Sequence, residues 1–135
     1  MSEITLEAVP ENIPEVTAFV DGELEARECG MKAQMQIDVA IDEIFSNIAY
    51  YAYAPEKGKA TVRFDYDEAT RTAEITFIDT GMAFNPLERP EPDVQASLEA
   101  RQVGGLGIFL VRKTMDAVRY RRENGQNILT LSKTI

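Results

Sequence analysis

The sequence predicts an α/β two-layer sandwich, in which a mixed, mainly antiparallel sheet carries the helices on one face. Three observations lead to this fold class. Several short segments alternate apolar and polar residues, as half-buried strands do, and two longer segments repeat apolar residues at helical spacing. Two strand pairs are joined by short turns, over residues 67–71 and at Asn124-Gly125, and turns this short connect antiparallel strands. The 135 residues, 44% of them hydrophobic, suit one domain over residues 1–135.

Composition excludes several kinds of site and partner. The net charge of -9, from 23 acidic and 14 basic residues, opposes nucleic acid as the main ligand, because phosphate backbones need clustered Lys and Arg. The chain has no His, which excludes His bases, phosphohistidine chemistry and His metal sites. The single cysteine, Cys29, excludes an internal disulfide and fits a reducing compartment. No segment is long and apolar enough to span a membrane and no signal peptide opens the chain, so we expect a cytoplasmic protein without a membrane partner.

The N-terminal half predicts a strand and two helices. Residues 4–8 alternate apolar and polar side chains, which indicates the strand. The first helix is expected from Pro14 to about Cys29, with Gly30 as its C-terminal stop. The second is expected from about Lys32 to Tyr53. Its apolar stripe consists of Ile37, Ile41, Ile44, Phe45, Ile48 and Ala52.

Glu43 and Asn47 lie four residues apart on the second helix, so they share a face. At about 100° per residue, that face lies roughly 120° from the middle of the apolar stripe. The pair therefore flanks the core, where a helix can line a cleft. The alternative is a solvated pair on an amphipathic helix, as we expect for the neighbouring Asp42.

A predicted hairpin, with strands over residues 60–66 and 72–78, ends at a carboxylate. Residues 79–86 read Asp-Thr-Gly-Met-Ala-Phe-Asn-Pro. Asp79 at the mouth of a strand can accept a hydrogen bond from an exocyclic amine such as that of adenine, and Gly81 lets a flat ring approach the backbone. The alternative is a strand-ending turn, because Asp, Gly, Asn and Pro all favour turns.

The C-terminal third predicts a loop, a helix and a second hairpin. Residues 88–103 lack the hydrophobic repeat of a packed element, apart from a candidate short helix over 94–98, and their position between two candidate ligand stretches favours a lid. Gly-Gly-Leu-Gly at residues 104–107 then opens a helix. Glycines at a helix N-terminus expose amides and the positive end of the dipole, which suits phosphate, although a flexible hinge is the alternative. Residues 117–122 and 128–133 read as strands.

Taken in order, the three motifs resemble the GHKL ATP-binding (Bergerat) fold, which gyrase, histidine kinases and MutL share. The motifs are Glu-x-x-x-Asn on a helix, Asp-x-Gly after a strand and Gly-Gly-Leu-Gly opening a helix. The stretches over residues 79–86 and 104–111 are most similar to the anti-sigma-factor serine kinases of the RsbW and SpoIIAB type. This resemblance covers nearly the whole chain.

The resemblance implies a role for each matching residue. Asn47 would bind the Mg²⁺ that holds the ATP phosphates, and Glu43 would take the proton from an attacking serine hydroxyl. Asp79 would accept from the adenine amine, with Gly81 leaving room for the ring. Further nucleotide contacts would come from Phe84, Arg101, Gly104, Gly105, Leu106 and Gly107.

The implied function is an ATP- and Mg²⁺-dependent protein serine kinase that phosphorylates a STAS-domain anti-sigma-factor antagonist. A sigma factor and a second copy of the chain would be further partners. Ala83 replaces the second glycine of the usual Asp-x-Gly-x-Gly, and Arg101 lies further from the glycines than the lid arginine of the kinases. The alternative is an ATP-dependent binding module without phosphotransfer. Glu43 favours the kinase, because a pure binding site needs no base beside Asn47, whereas the displaced Arg101 favours the module.

Overall fold

The computed structural model describes residues 1–54, 56–88 and 105–135. Residues 89–103 of the predicted lid, which include the candidate helix over 94–98 and Arg101, lie outside these ranges, as does Gly104. The described strands and helices lie on either side of that segment.

Five strands form one sheet in the order β1-β2-β3-β5-β4. They are β1 (Ser2–Glu7), β2 (Lys59–Asp67), β3 (Thr72–Asp79), β4 (Ala117–Glu123) and β5 (Gln126–Thr134). All four pairings are antiparallel, so the predicted antiparallel character is confirmed and no parallel pair occurs among the described strands. The turn at Asn124-Gly125 has φ values of 52° and 75°, as the two-residue hairpin turn with positive φ at both positions requires.

Within the described residues, three α-helices pack on one face of the sheet: α1 (Ile13–Glu25), α2 (Met31–Asn47) and α3 (Gly105–Thr114). Residues alternate between buried and partly exposed along β2 and most of β3, so one face of the sheet carries the core. The predicted apolar stripe of α2 is buried along its whole length. The largest fully buried side chains of this core are Phe45, Phe64, Phe77, Leu24, Ile37, Ile41, Ile75 and Leu131.

The prediction that Gly30 stops α1 is wrong. The helix ends at Glu25, and Glu28 adopts the left-handed conformation with φ 57°. The Cys29 N–H donates to the Leu24 carbonyl at 3.1 Å, and the Glu28 N–H donates to the Glu25 carbonyl at 3.0 Å. This is a Schellman C-terminus built without glycine. Gly30 has an extended backbone and lies immediately before α2.

The second helix also differs from the prediction at its end. Its α-helical part stops at Asn47, and a π-helical turn continues the chain over Ile48–Ala52. Ile48 and Ala52 stay buried, so the apolar pattern gives no sign of the change. A π-helical turn widens the helix locally and is frequent at functional sites.

Helices α1 and α2 bring two carboxyl groups together at Asp21 and Asp38. Burial, a hydrogen bond with Asp21 and the negative charge of Asp21 raise the pKa of Asp38 to about 7. One oxygen of each carboxyl is buried without a hydrogen-bond partner. Mutual repulsion across α1 and α2 therefore opposes ionisation of both groups.

No helix within residues 1–54, 56–88 and 105–135 combines the length and apolarity needed to cross a bilayer.

Candidate functional site

A pocket opens between the end of α2 and the end of β3. Most of its walls are apolar, and a few polar side chains converge on it, which is the usual make-up of a small-molecule site. Asn47, Asp79 and Phe84, three of the residues singled out in the sequence, meet here. The full lining is Ile44, Asn47, Ile48, Ala52, Phe77, Asp79, Phe84, Pro86, Tyr120, Asn127 and Leu129.

Asp79 ends β3 and is only 5% exposed, although it lines the pocket. Its Oδ1 accepts hydrogen bonds from the Gly81 N–H and from Asn127 Nδ2, both at 2.9 Å. One carboxylate oxygen is thus fully engaged inside the protein. The predicted acceptor at the mouth of the strand is therefore held in one orientation.

Asn127 lies on β5 directly opposite Asp79 and is 6% exposed. Besides Asp79, its Nδ2 donates to the Met82 carbonyl at 2.8 Å. Its Oδ1 accepts from the Phe84 N–H at 3.3 Å and from the Tyr120 hydroxyl. The amide therefore uses both donors and both acceptor positions. Asn127 carries no local sequence signal, because its position opposite Asp79 depends on the pairing of β3 with β5.

Gly81 is required by a contact between backbones. A Cβ at this position would overlap the carbonyl group of Ala52, the last residue of the π-helical turn. The same carbonyl accepts from the Met82 N–H at 2.8 Å. The loop after β3 is thereby attached to the π-helical turn that follows α2. The expected approach of a ligand ring to Gly81 stays a prediction.

Tyr53 is a second residue that the sequence did not indicate. Its hydroxyl donates to the Lys59 carbonyl at 2.6 Å and accepts from the Thr80 N–H at 2.9 Å. It thus joins the start of β2 to the loop that follows β3. Only the three-dimensional arrangement reveals this link, since Tyr53 lies outside all three motifs.

Glu43 and Asn47 lie on α2 where α3 approaches it. Asn47 Nδ2 donates to Glu43 Oε1 at 3.4 Å, and a Cβ at Gly107 would overlap the Glu43 carboxylate. The carboxylate therefore lies beside the first turn of α3, where the positive end of the helix dipole favours negative charge. Gly105 and Leu106 open the same helix, whereas Arg101 and Gly104 lie outside the described residues.

Asn47 fits the magnesium role that the resemblance implies. Its nitrogen is directed to Glu43, so its oxygen is the atom available to a cation. Among the residues that the structure describes, no three Cys, Asp or Glu side chains form a metal-binding group. That is compatible with Mg²⁺, which is commonly held by one or two protein ligands together with waters and substrate phosphates.

Comparisons with known sequences agree with this arrangement. The family described as "Histidine kinase-like ATPase domain" matches residues 6–133. Serine/threonine-protein kinase BtrW of Bordetella bronchiseptica is 30% identical over 101 residues, which are 75% of this chain and 70% of BtrW. Serine-protein kinase RsbW of Bacillus cereus is 30% identical over 95 residues, which are 67% of this chain and 58% of RsbW. The chain thus spans less than two thirds of the length of RsbW.

A solved structure has the same fold. A chain of the SiaB-SiaC complex from Pseudomonas aeruginosa superposes with a TM-score of 0.58, covering 98% of this chain and 89% of that one. The two sequences are 14% identical, so the likeness concerns the arrangement of helices and strands alone.

Proposed function

The chain belongs to the histidine kinase-like ATPase domain family, and we propose that it is an ATP-dependent protein serine kinase of the anti-sigma-factor type. Its substrate would be a STAS-domain anti-sigma-factor antagonist in a partner-switching system. The observation that carries this proposal is the single pocket shared by Asn47, Asp79 and Phe84, with Glu43 beside it on α2. The whole of residues 1–135 would form one ATPase domain.

The pocket suits the base of ATP at its inner end. Asp79 would accept from the exocyclic amine of adenine, and Phe84 with the apolar side chains of α2 would cover the ring. The phosphates would extend towards Asn47 and the first turn of α3, whose amides favour anions. Magnesium, when bound at Asn47, would neutralise phosphate charge.

Glu43 would act on the incoming serine. The serine oxygen attacks the γ-phosphorus, the bond between that phosphorus and the bridging oxygen breaks, and ADP leaves. The hydroxyl proton passes to the Glu43 carboxylate. The protein contributes position, charge and one base, which is what phosphoryl transfer requires.

The contact between Glu43 and Gly107 favours a second candidate function. In this alternative, Glu43 only fastens α3 to α2, and the chain is an ATP-dependent binding module without phosphotransfer. The kinase and the binding module predict different results for a substitution that makes the Glu43 carboxylate neutral and keeps its shape. Such a substitution should stop phosphotransfer in the kinase and leave ATP binding in place.

A transfer assay with γ-labelled ATP and a purified STAS-domain antagonist tests the kinase. We expect Glu43→Gln to bind ATP like the wild type, measured by calorimetry, and to lose about 10²–10⁴-fold in the rate of label transfer. Asp42→Asn is the matched control, because Asp42 is the exposed neighbour on the same helix, and its rate should stay unchanged. Loss of ATP binding in Glu43→Gln would show that Glu43 has a structural role and does not act as the base. A wild type that binds ATP but transfers no label would establish the binding module.

We further propose a cytoplasmic location, where the ATP that such a kinase consumes is available, and two additional partners. A sigma factor would be the protein released or held by the switch. A second copy of the chain could pair through the edge strands β1 and β4, which present unpaired backbone groups. Analytical ultracentrifugation of the chain alone and with each partner measures both associations.

A further inference from the structure

We infer that Asn127 is a positioning residue that sets the base specificity of the pocket by fixing Asp79. This inference rests on the proposed nucleotide-binding function. Neither the motifs nor the family resemblance pointed to Asn127. Its place opposite Asp79 in the pairing of β3 with β5 is what brings it to the site.

The two oxygens of Asp79 differ in their hydrogen bonding. Oδ1 accepts from both the Gly81 N–H and Asn127 Nδ2, so its hydrogen-bonding capacity is taken up within the protein. Because Asp79 nevertheless lines the pocket, Oδ2 is the oxygen left to meet a ligand. An ionised carboxylate oxygen only accepts hydrogen bonds.

The side-chain amide of Asn127 is held in one orientation by its four hydrogen bonds. Its Oδ1 faces two donors, the Phe84 N–H and the Tyr120 hydroxyl, and its Nδ2 faces two acceptors, Asp79 Oδ1 and the Met82 carbonyl. Turning the amide over would set donors against donors and acceptors against acceptors. The buried side chain therefore has one stable orientation, and it always presents a donor to Asp79.

At Asp79 Oδ2 the pocket therefore accepts a hydrogen bond from a bound base and donates none to it. Asp79 Oδ2 can bind the exocyclic amine of adenine, whereas the carbonyl of guanine at the same place would meet a second acceptor. The Gly81 N–H and Asn127 Nδ2, which are the donors facing Asp79, are already bound to Asp79 Oδ1. Without Asn127, the carboxylate keeps only the Gly81 bond and can rotate.

The test measures selectivity as well as affinity. Calorimetry gives the Kd of wild type, Asn127→Ala and Tyr120→Phe for ATP, GTP and purine riboside triphosphate, which lacks the 6-amino group. We expect wild type to prefer ATP over the purine analogue by about tenfold or more, as for a hydrogen bond to a charged group. Asn127→Ala should lose most of that ratio, and Tyr120→Phe should lose part of it.

Thr130→Val is the matched control, because Thr130 lies on β5 beside Leu129 and Leu131 but points to the opposite face, where it pairs with Thr76. Its ratio should equal that of wild type, and thermal unfolding confirms that each variant is folded. If Asn127→Ala weakens the binding of ATP and of the purine analogue by the same factor, Asn127 has only a structural role and the inference is overturned. If wild type binds no ATP, the proposed function itself fails.

Discussion

Gly81 and Gly22 show how differently two glycines can be constrained. A Cβ at Gly81 would overlap the Ala52 carbonyl, whereas a Cβ at Gly22, inside α1, would meet nothing within 4 Å. The first glycine is therefore required by a tight approach of two backbones, and the second only lowers helix propensity.

Replacing these glycines should have opposite effects. We expect Gly81→Ala to lower the free energy of unfolding by about 1–3 kcal/mol, because the loop after β3 must move away from α2. Gly22→Ala should leave it unchanged or raise it by up to about 1 kcal/mol. Urea denaturation of both variants measures the difference. A Gly81→Ala protein as stable as wild type would contradict the close contact.

At the scale of single residues, the sequence singles out those that carry local signals. Spacing on a helix indicates Glu43 and Asn47, and a place after a strand indicates Asp79. The pocket brings Asn47 and Asp79 together, and their roles stay predictions. Asn127 and Tyr53 could not be chosen in this way. Asn127 bonds to Asp79, 48 residues away in sequence, and Tyr53 bonds to Thr80, 27 residues away. These contacts form only once the strands have paired.

At the scale of elements, the π-helical turn after Asn47 is the feature that links α2 to the site. It carries the Ala52 carbonyl to the loop after β3 and is followed directly by Tyr53. The hairpins were predictable because their turn residues are specific, as at Asn124-Gly125. The π-helical turn was not, because its buried residues continue the apolar stripe of the α-helix. The end of α1 was missed because Glu28, not a glycine, adopts positive φ.

Tyr53→Phe tests the link at this scale. The substitution removes the hydroxyl that joins the Lys59 carbonyl to the Thr80 N–H, and we expect it to lower the free energy of unfolding by about 1–2 kcal/mol. Tyr50→Phe is the control, because Tyr50 is 59% exposed and should change stability by less than about 0.5 kcal/mol. Equal stability of the two variants in chemical denaturation would show that the Tyr53 hydroxyl adds nothing.

At the scale of the whole molecule, the packing of α1 on α2 makes stability depend on pH. The pKa of Asp38 is raised from 3.8 to about 7 by burial, and then by the hydrogen bond and charge of Asp21. Between these pH values the folded protein binds more protons than the unfolded chain. Stability therefore falls as pH rises from about 4 to about 7.

Asp38→Asn should remove this part of the pH dependence. We expect the variant to exceed wild type at pH 8 by roughly 1 kcal/mol in the free energy of unfolding, since solvent around the partly exposed pair screens some of the repulsion. The difference should vanish near pH 4. Asp42→Asn, exposed on the same helix, should follow the wild-type curve. Parallel curves for Asp38→Asn and wild type from pH 4 to pH 8 would contradict the repulsion.

The position of β5 in the sheet determines when the pocket is completed during translation. This strand follows the other four along the chain, yet it lies between β3 and β4 and supplies Asn127 to the pocket. A nascent chain that has emerged only as far as α3 has Asn47 and Asp79 but no completed wall around them. The lining of the pocket is therefore complete only after β5 has been translated and inserted between β3 and β4.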